Sequence, residues 1–232
     1  MTLFNKDDYR VLPIPFSEAK EWVLKKHYAH RVPSISYAFG LYWNDGGVQR
    51  LVGVCTFGVP ASPSLVSGAI GEEYADRFFE LNRLVVTDGL PRNALSFFVA
   101  TSLKMLPAPM VVVSYADSGM NHHGYIYQAT NWLYTGLSAK HVEYTIGGVE
   151  QNKHSRHLFD HLGGIKNAQN NGVDMVAGER TQKYRYFQFI GDRRQRRQML
   201  KSFKYPIIRN YPKGDNVRYD ASYEVHPNGI LF

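Results

Sequence analysis

The sequence predicts an α+β (α/β) fold, a mixed central sheet flanked by helices with a basic strand–helix extension towards the C-terminus. Three observations predict it. Residues 80–136 read strand, helix, strand, helix, the pattern of a parallel β–α–β unit followed by another helix. Residues 35–57 read as a hairpin, two strand-like runs joined by Asn44-Asp45-Gly46-Gly47. Residues 184–190 alternate aromatic and polar side chains and run into the charged helix pattern DRRQRRQMLKSF.

Taken in order, residues 1–14 are a lead-in, with Pro13 and Pro15 stiffening the approach to a helix that Ser17 caps and whose apolar side holds Trp22 and Val23. That helix runs into Lys25, Lys26, His27, Tyr28, Ala29 and His30, and Pro33 bars its continuation. His27 and Tyr28 either face a cleft or form an exposed helix end whose cations suit the C-terminal dipole. After the hairpin, residues 58–74 are rich in Gly, Pro, Ser and Ala and read as a loop able to lie over a site. Arg83 sits inside the strand pattern ELNRLVV and needs an anion or a carboxylate, with Glu80 and Asp117 as candidate partners.

Asp88, Gly89 and Pro91 break that strand. Leu95, Phe98, Val99, Ser102, Leu103 and Leu106 then recur at three- and four-residue steps, so one helix face is buried. Pro107 and Pro109 end this helix, and Met110–Val113 reads as a strand covered on both faces. The next helix is expected from near His123 to Gly136, with Tyr127, Asn131 and Tyr134 on one stripe. His141–Ile146 reads as another strand, His154, His157 and His161 as one face of a helix that solvent or a polyanion covers, and residues 163–179 as loop. Residues 219–232 carry no clear signal.

The polar residues of the central unit fall where sites form. Asn93 and Ser96 open a helix, where free N–H groups attract anions. Ser114, Tyr115 and Asp117 end a strand, where open α/β sheets place ligands. With Tyr127, Asn131 and Tyr134 these residues converge on one cleft, or else they edge a packed core.

Composition narrows the function. A single cysteine, Cys55, excludes an internal disulfide, suits a reducing cytoplasm, and reads as an inert buried thiol. No apolar run is long enough to span a bilayer. Of the net charge of +7, residues 180–213 hold eleven Lys and Arg against one acid, Asp192, so the remainder is slightly acidic. The basic helix with Arg193, Arg194, Arg196, Arg197, Lys201 and Lys204 therefore points to nucleic acid, and Tyr184, Tyr186, Tyr205 and Tyr211 offer rings for stacking on bases. A solvated charged face is the alternative. There is no Walker loop, dinucleotide glycine fingerprint or nucleophile elbow.

The order strand, helix, strand, helix ending in ATNWLYTG resembles the core of the GNAT acyltransferases. More specifically, KKHYAHRVPS, ELNRLVVTDGLPRN, VVSYAD, GYIYQATNWLYTG and the basic KYPI…YPKGDN resemble the Mom family of phage DNA-modification proteins over roughly residues 20–216. The resemblance implies one GNAT-like domain over residues 1–232, with the basic 180–213 segment packed on it. The implied activity, in a host cytoplasm, converts adenine in double-stranded DNA to N6-(carbamoylmethyl)adenine and protects the DNA from restriction. The implied site comprises His27, Tyr28, Arg83, Ser96, Asp117 and Tyr127, with Asn93, Ser114, Asn131 and Tyr134 holding substrate or donor. His27, Tyr28 and Asp117 would be the ligands of an iron ion, and a homodimer is a possible assembly. The stretch Gly89–Ser96 departs from the glycine-rich turn of acetyl-CoA-using relatives, since Pro91 lacks an N–H. The donor is therefore acetyl-CoA or an aminoacyl-tRNA such as glycyl-tRNA. The rival readings are a GNAT enzyme acetylating a small-molecule or protein amine, and a non-catalytic DNA-binding anti-restriction protein.

Overall fold

The Asn44–Gly47 turn forms as its residues require. Gly46 and Gly47 both take positive φ, the Asn44 side chain accepts the Gly47 N–H at 3.0 Å, and strands β2 (Tyr37–Asp45) and β3 (Val48–Gly58) pair antiparallel on either side. The computed structural model describes residues 3–27, 31–147 and 159–215. Its main sheet has seven strands. In spatial order these are β1 (Tyr9–Pro13), β2, β3, β4 (Phe78–Val86), β5 (Met110–Asp117), β9 (Lys183–Ile190) and β6 (Leu133–Leu137). Only β4 and β5 pair in parallel, so the sheet is mixed, as expected. A separate ribbon pairs β7 (His141–Ile146) with β8 (Met175–Arg180).

Helix α3 (Ala94–Met105) joins the two parallel strands and packs Phe98, Val99 and Leu103 on one face of the sheet, against Leu41, Cys55, Leu81 and Val112. The thiol of Cys55 is fully buried, and burial pushes its pKa up, which is the inert thiol expected. On the opposite face, Ala19 of α1 (Phe16–Lys26) packs with Ala38 and Val54. Further along that face, Ala69 of α2 (Pro63–Ala69) and Met199 of α6 (Arg193–Ser202) cover Val111, Val113, Phe187 and Phe189.

Several local expectations are corrected. The lead-in contains an edge strand, β1, where Tyr9 and Val11 alternate inwards and Pro13 is tolerated at the strand's end. Ser17 lies inside α1 and makes no cap bond; Pro15 occupies the cap position. Residues 58–74 are not an open loop, since Pro63 starts α2 and a 3-10 turn follows at Glu72–Arg77. The helix expected up to Gly136 stops after five residues as α4 (Tyr125–Ala129). Asn131 turns left-handed at φ 60°, and the chain pairs as β6 with the free edge of β9, so a ladder outcompetes a helical pattern. Tyr127, Asn131 and Tyr134 therefore share no helical stripe. Residues 163–179 hold α5 (Ile165–Asn170) and β8 rather than loop. Tyr28, His154, His157 and residues 219–232 lie outside the described residues.

A bulge in β4 organises the approach to the site. Phe57 pairs with Leu81 and Thr56 with Arg83, leaving Asn82 as the extra residue, so Asn82 and Arg83 are turned to the α1 face. The Asn82 side chain accepts from Thr56 Oγ1 at 2.6 Å and donates to the Ser34 carbonyl at 2.7 Å. Arg83 reaches the Arg31 carbonyl at 3.2 Å. The segment leaving α1 is thus drawn down onto Gly58, where a Cβ would overlap the Ser34 carbonyl. Gly58→Ala is expected to destabilise the fold by about 1–3 kcal/mol through overpacking, read as a lowered Tm. An unchanged Tm would show that residues 31–35 are not held there.

Candidate functional site

Strands β4 and β5 keep their parallel ladder for only three positions, Phe78–Glu80 against Val111–Val113. Beyond them β4 continues beside β3 and β5 beside β9, so a wedge opens towards the C-terminal ends of both strands. This is where open sheets bind ligands. Parting strands strand backbone groups, and the Leu81 carbonyl finds a side chain instead: Ser114 Oγ lies 2.8 Å from it. The same hydroxyl lies 2.7 Å from the Tyr127 hydroxyl. Ser114 is almost fully buried and ties β4, β5 and α4 together at the apex of the wedge.

On the α1 face of the wedge lies a charged group. Asp117 Oδ2 pairs with Lys183 Nζ at 3.2 Å, while its Oδ1 accepts from Thr181 Oγ1 and the Gly119 N–H, each at 3.0 Å. Asp117 is therefore a fully engaged carboxylate. Arg185 donates to Thr135 Oγ1 at 3.0 Å and lies flat on the Tyr205 ring, 3.7 Å from its centroid. Glu80 occupies the last ladder position, opposite Val113. Burial drives its carboxyl above the ordinary carboxylate range, with Arg83 and then Lys183 drawing it part of the way back. The neighbouring Tyr115 hydroxyl is pushed up by burial and by Glu80, against the pull of Arg185.

The expected partners of Arg83 are thus divided: Glu80 feels its charge, whereas Asp117 has Lys183. Arg83 also donates to the Asn82 carbonyl at 2.6 Å. His27 is 7% exposed and ends α1. Sequence reading had cast Glu80 only as a structural partner and passed over Lys183 and Arg185 as site residues. The signal was present in ELNR, an acid inside a strand pattern three residues before an arginine.

The opposite face of the wedge is built from α3 and α4. Asn93 takes a left-handed conformation at φ 79° and leaves α3 without a side-chain cap. Ser96 Oγ bonds back to the Asn93 carbonyl at 3.0 Å. Tyr127 and Tyr134 join Trp132 and Tyr186 in an aromatic wall, with the Tyr127 ring 5.1 Å from Trp132 and 5.2 Å from Tyr186. Tyr186 is fully buried, Tyr211 donates to the Trp132 carbonyl at 2.8 Å, and Arg185 covers the Tyr205 ring. Tyr186 is thus a core residue, which corrects the expectation that it stacks on bases, while Tyr205 and Tyr211 are half-buried.

Away from the wedge, α6 begins with a capping box between Asp192 and Gln195 and is anchored by Met199, fully buried. Arg193, Arg194, Arg196, Arg197 and Lys201 are exposed. Lys204 is not available in the same way, since its Nζ donates to the Ser67 carbonyl at 2.8 Å.

With this geometry in place, comparison with known proteins decides the family. The profile of the Mom protein family matches residues 8–213. The chain belongs to the Mom protein family. Methylcarbamoylase mom of Escherichia phage Mu is 27% identical over 220 residues, covering 90% of this chain and 86% of its own. A solved structure of a putative acetyltransferase from Acinetobacter baylyi ADP1 aligns over 78% of this chain and 92% of its own, at 8% identity and a TM-score of 0.41. Of the residues that the likeness to the Mom family implied, Arg83, Ser114, Asp117 and Tyr127 border the wedge and Asn93 and Ser96 open α3. Asp117, one of the three residues the likeness implied for an iron ion, accepts from Lys183, Thr181 and the Gly119 N–H, no group of three His, Cys, Asp or Glu able to hold a metal exists among the described residues, and Tyr28 lies outside them. No helix among the described residues is long and apolar enough to cross a membrane.

Glu80 carries a stability signature. Its folded carboxyl holds a proton more tightly than in the unfolded chain, so the contribution of Glu80 to stability is fully present below the ordinary glutamate pKa. It falls as pH rises from there to the raised folded value. Glu80→Gln should flatten this dependence and raise the Tm at neutral pH relative to the parent. Parallel Tm–pH curves for the two proteins would show that Glu80 ionises unhindered.

Proposed function

We propose that this chain is a phage-type transferase that places a carbamoylmethyl group on the exocyclic amine of adenine in double-stranded DNA. The product is N6-(carbamoylmethyl)adenine, which shields the DNA from host restriction endonucleases. The observation that carries the reading is the likeness, over 90% of the chain, to a protein named methylcarbamoylase. The wedge supports it, because it presents proton-accepting and cationic groups at the end of a parallel pair.

The adenine amine is a weak nucleophile enclosed in a base pair, so the base leaves the stack and enters the wedge. The amine nitrogen attacks the carbonyl carbon of the donor's two-carbon unit, the ester bond to the carrier breaks with the carrier hydroxyl leaving, and the amine loses one proton; isomerisation of the resulting glycyl amide gives the carbamoylmethyl product with no atom gained or lost. Glu80 receives that proton: its raised affinity brings it closer to neutral pH, where a general base is most effective. Lys183 and Arg83 offset the charge that Glu80 carries before the step. Asp117 positions Lys183 and the turn at Gly119.

The donor reading follows from atom count. A glycyl group has the two carbons, one oxygen and one nitrogen of a carbamoylmethyl group, whereas an acetyl group lacks the nitrogen. Glycyl-tRNA is therefore favoured over acetyl-CoA. The Leu95 and Ser96 N–H groups in the uncapped first turn of α3 supply donors for a phosphate or carbonyl of that substrate.

Nucleosides from plasmid DNA grown with the protein should include a deoxyadenosine heavier by one carbamoylmethyl group. The adduct should be lost in Glu80→Gln and reduced about 100-fold in Asp117→Asn, the effect of a misplaced site. Unmodified deoxyadenosine from cells containing soluble parent protein would overturn the assignment. Growth on nitrogen-labelled glycine should shift the adduct mass by one label, and an unlabelled adduct would exclude the glycyl donor.

A further inference from the structure

Helix α6 has a feature that the chemistry at the wedge does not use. Arg193, Arg196, Arg197 and Leu200 fall at i, i+3, i+4 and i+7, and with Gly191 they line a surface groove of about 530 Å³. All three arginines are exposed, and none has a carboxylate partner among the described residues. Arg194 and Lys201 are exposed too but do not line the groove. The mount beneath is rigid. Met199 is fully buried, Phe203 packs on Phe187 and Phe189 with centroids 4.8 and 5.2 Å away, and Ser202 Oγ donates to Glu73 at 2.9 Å. An unneutralised arginine stripe with an apolar floor, on a helix that cannot swing away, fits regularly spaced phosphates rather than a single small anion.

Register places this stripe away from the chemistry. Gly191 follows Ile190, which pairs with Met110, whereas Asp117 pairs with Lys183 at the other end of the same two strands. Seven residue steps at about 3.4 Å each, less the return of α6 along β9, leave roughly 15–25 Å between them. We propose that the Arg193–Arg196–Arg197 stripe docks the sugar-phosphate backbone of duplex DNA about four to seven base pairs from the adenine being modified. The estimate uses the rise of roughly 3.4 Å per base pair. The proposal rests on the DNA-modifying reading for its choice of duplex DNA.

The test is equilibrium binding of the full chain to a labelled DNA duplex across a salt series. Each phosphate contact contributes about 0.9 to the slope of log affinity against log salt. Arg193→Gln/Arg196→Gln/Arg197→Gln should lower that slope by roughly 2–3 relative to the parent. Arg194→Gln/Lys201→Gln, matched in helix and exposure, should change it less. Near-parental Tm values for both variants check that the helix still folds. An unchanged slope in the triple variant, an equal loss in the control pair, or equal competition by a folded RNA would overturn the proposal. The two readings fail separately. Unmodified plasmid DNA with a lowered slope removes the chemistry and keeps the dock, while modified DNA with an unchanged slope does the reverse.

Discussion

The fold depends on how β4 and β5 part after three ladder positions. Interior strands cannot separate without leaving backbone groups unpaired, and each buried orphan costs about 1–3 kcal/mol. Two devices remove that cost. The Ser114 hydroxyl meets the Leu81 carbonyl, and β9 pairs with the whole of β5, from Met110 to Asp117. The wedge is therefore stable only because a strand from the basic C-terminal segment is an interior member of the sheet. That strand also delivers Lys183 and Arg185 to the site, so the contacts that hold the wedge open also provide its charge.

The β4 bulge links this opening to the other half of the sheet. Without the extra residue at Asn82, Arg83 would fall on the α3 face, within an apolar layer that has no place for a guanidinium. With it, Asn82 and Arg83 reach the carbonyls of Ser34 and Arg31 and fix the chain leaving α1. This long-range tie explains why Gly58 tolerates no side chain.

Sequence reading recovered the elements whose pattern is set locally. The hairpin, α3 and β5 follow from turn chemistry and periodicity, and α6 from Asp192 and its charged face. It failed where tertiary pairing outvotes local pattern. Trp132–Leu137 carries helix-compatible residues, yet the free edge of β9 takes Leu133 and Tyr134 as partners, and Tyr134 then joins the aromatic wall rather than a substrate stripe. The site was half legible. Ser114 and Asp117 stood out as polar groups at a strand end, Arg83 as a cation inside a strand pattern and Tyr127 as a polar group on an expected helix, whereas Lys183 and Arg185 were hidden inside a run of eleven cations. Glu80 was hidden for a different reason. Its interest arises from burial beside two cations, and burial is not written in a single strand's alternation.

The cations of the basic segment divide into two populations with different physics. Lys183, Arg185 and Lys204 are bound to Asp117, Thr135 and Ser67, and the first two lie partly buried along the sheet. Their fields act over a few ångströms through protein, where mobile ions do not intervene, so salt leaves them largely intact. The arginines of α6 stand in solvent, where a Debye length of about 8 Å at physiological ionic strength screens them beyond close contact. Salt screens the charges of α6 while the charge balance around Glu80 persists, because that balance is set by Arg83 and Lys183 inside the wedge. One run of positive charge in the sequence thus divides into two electrostatic settings only after β9 enters the sheet and α6 is left outside it.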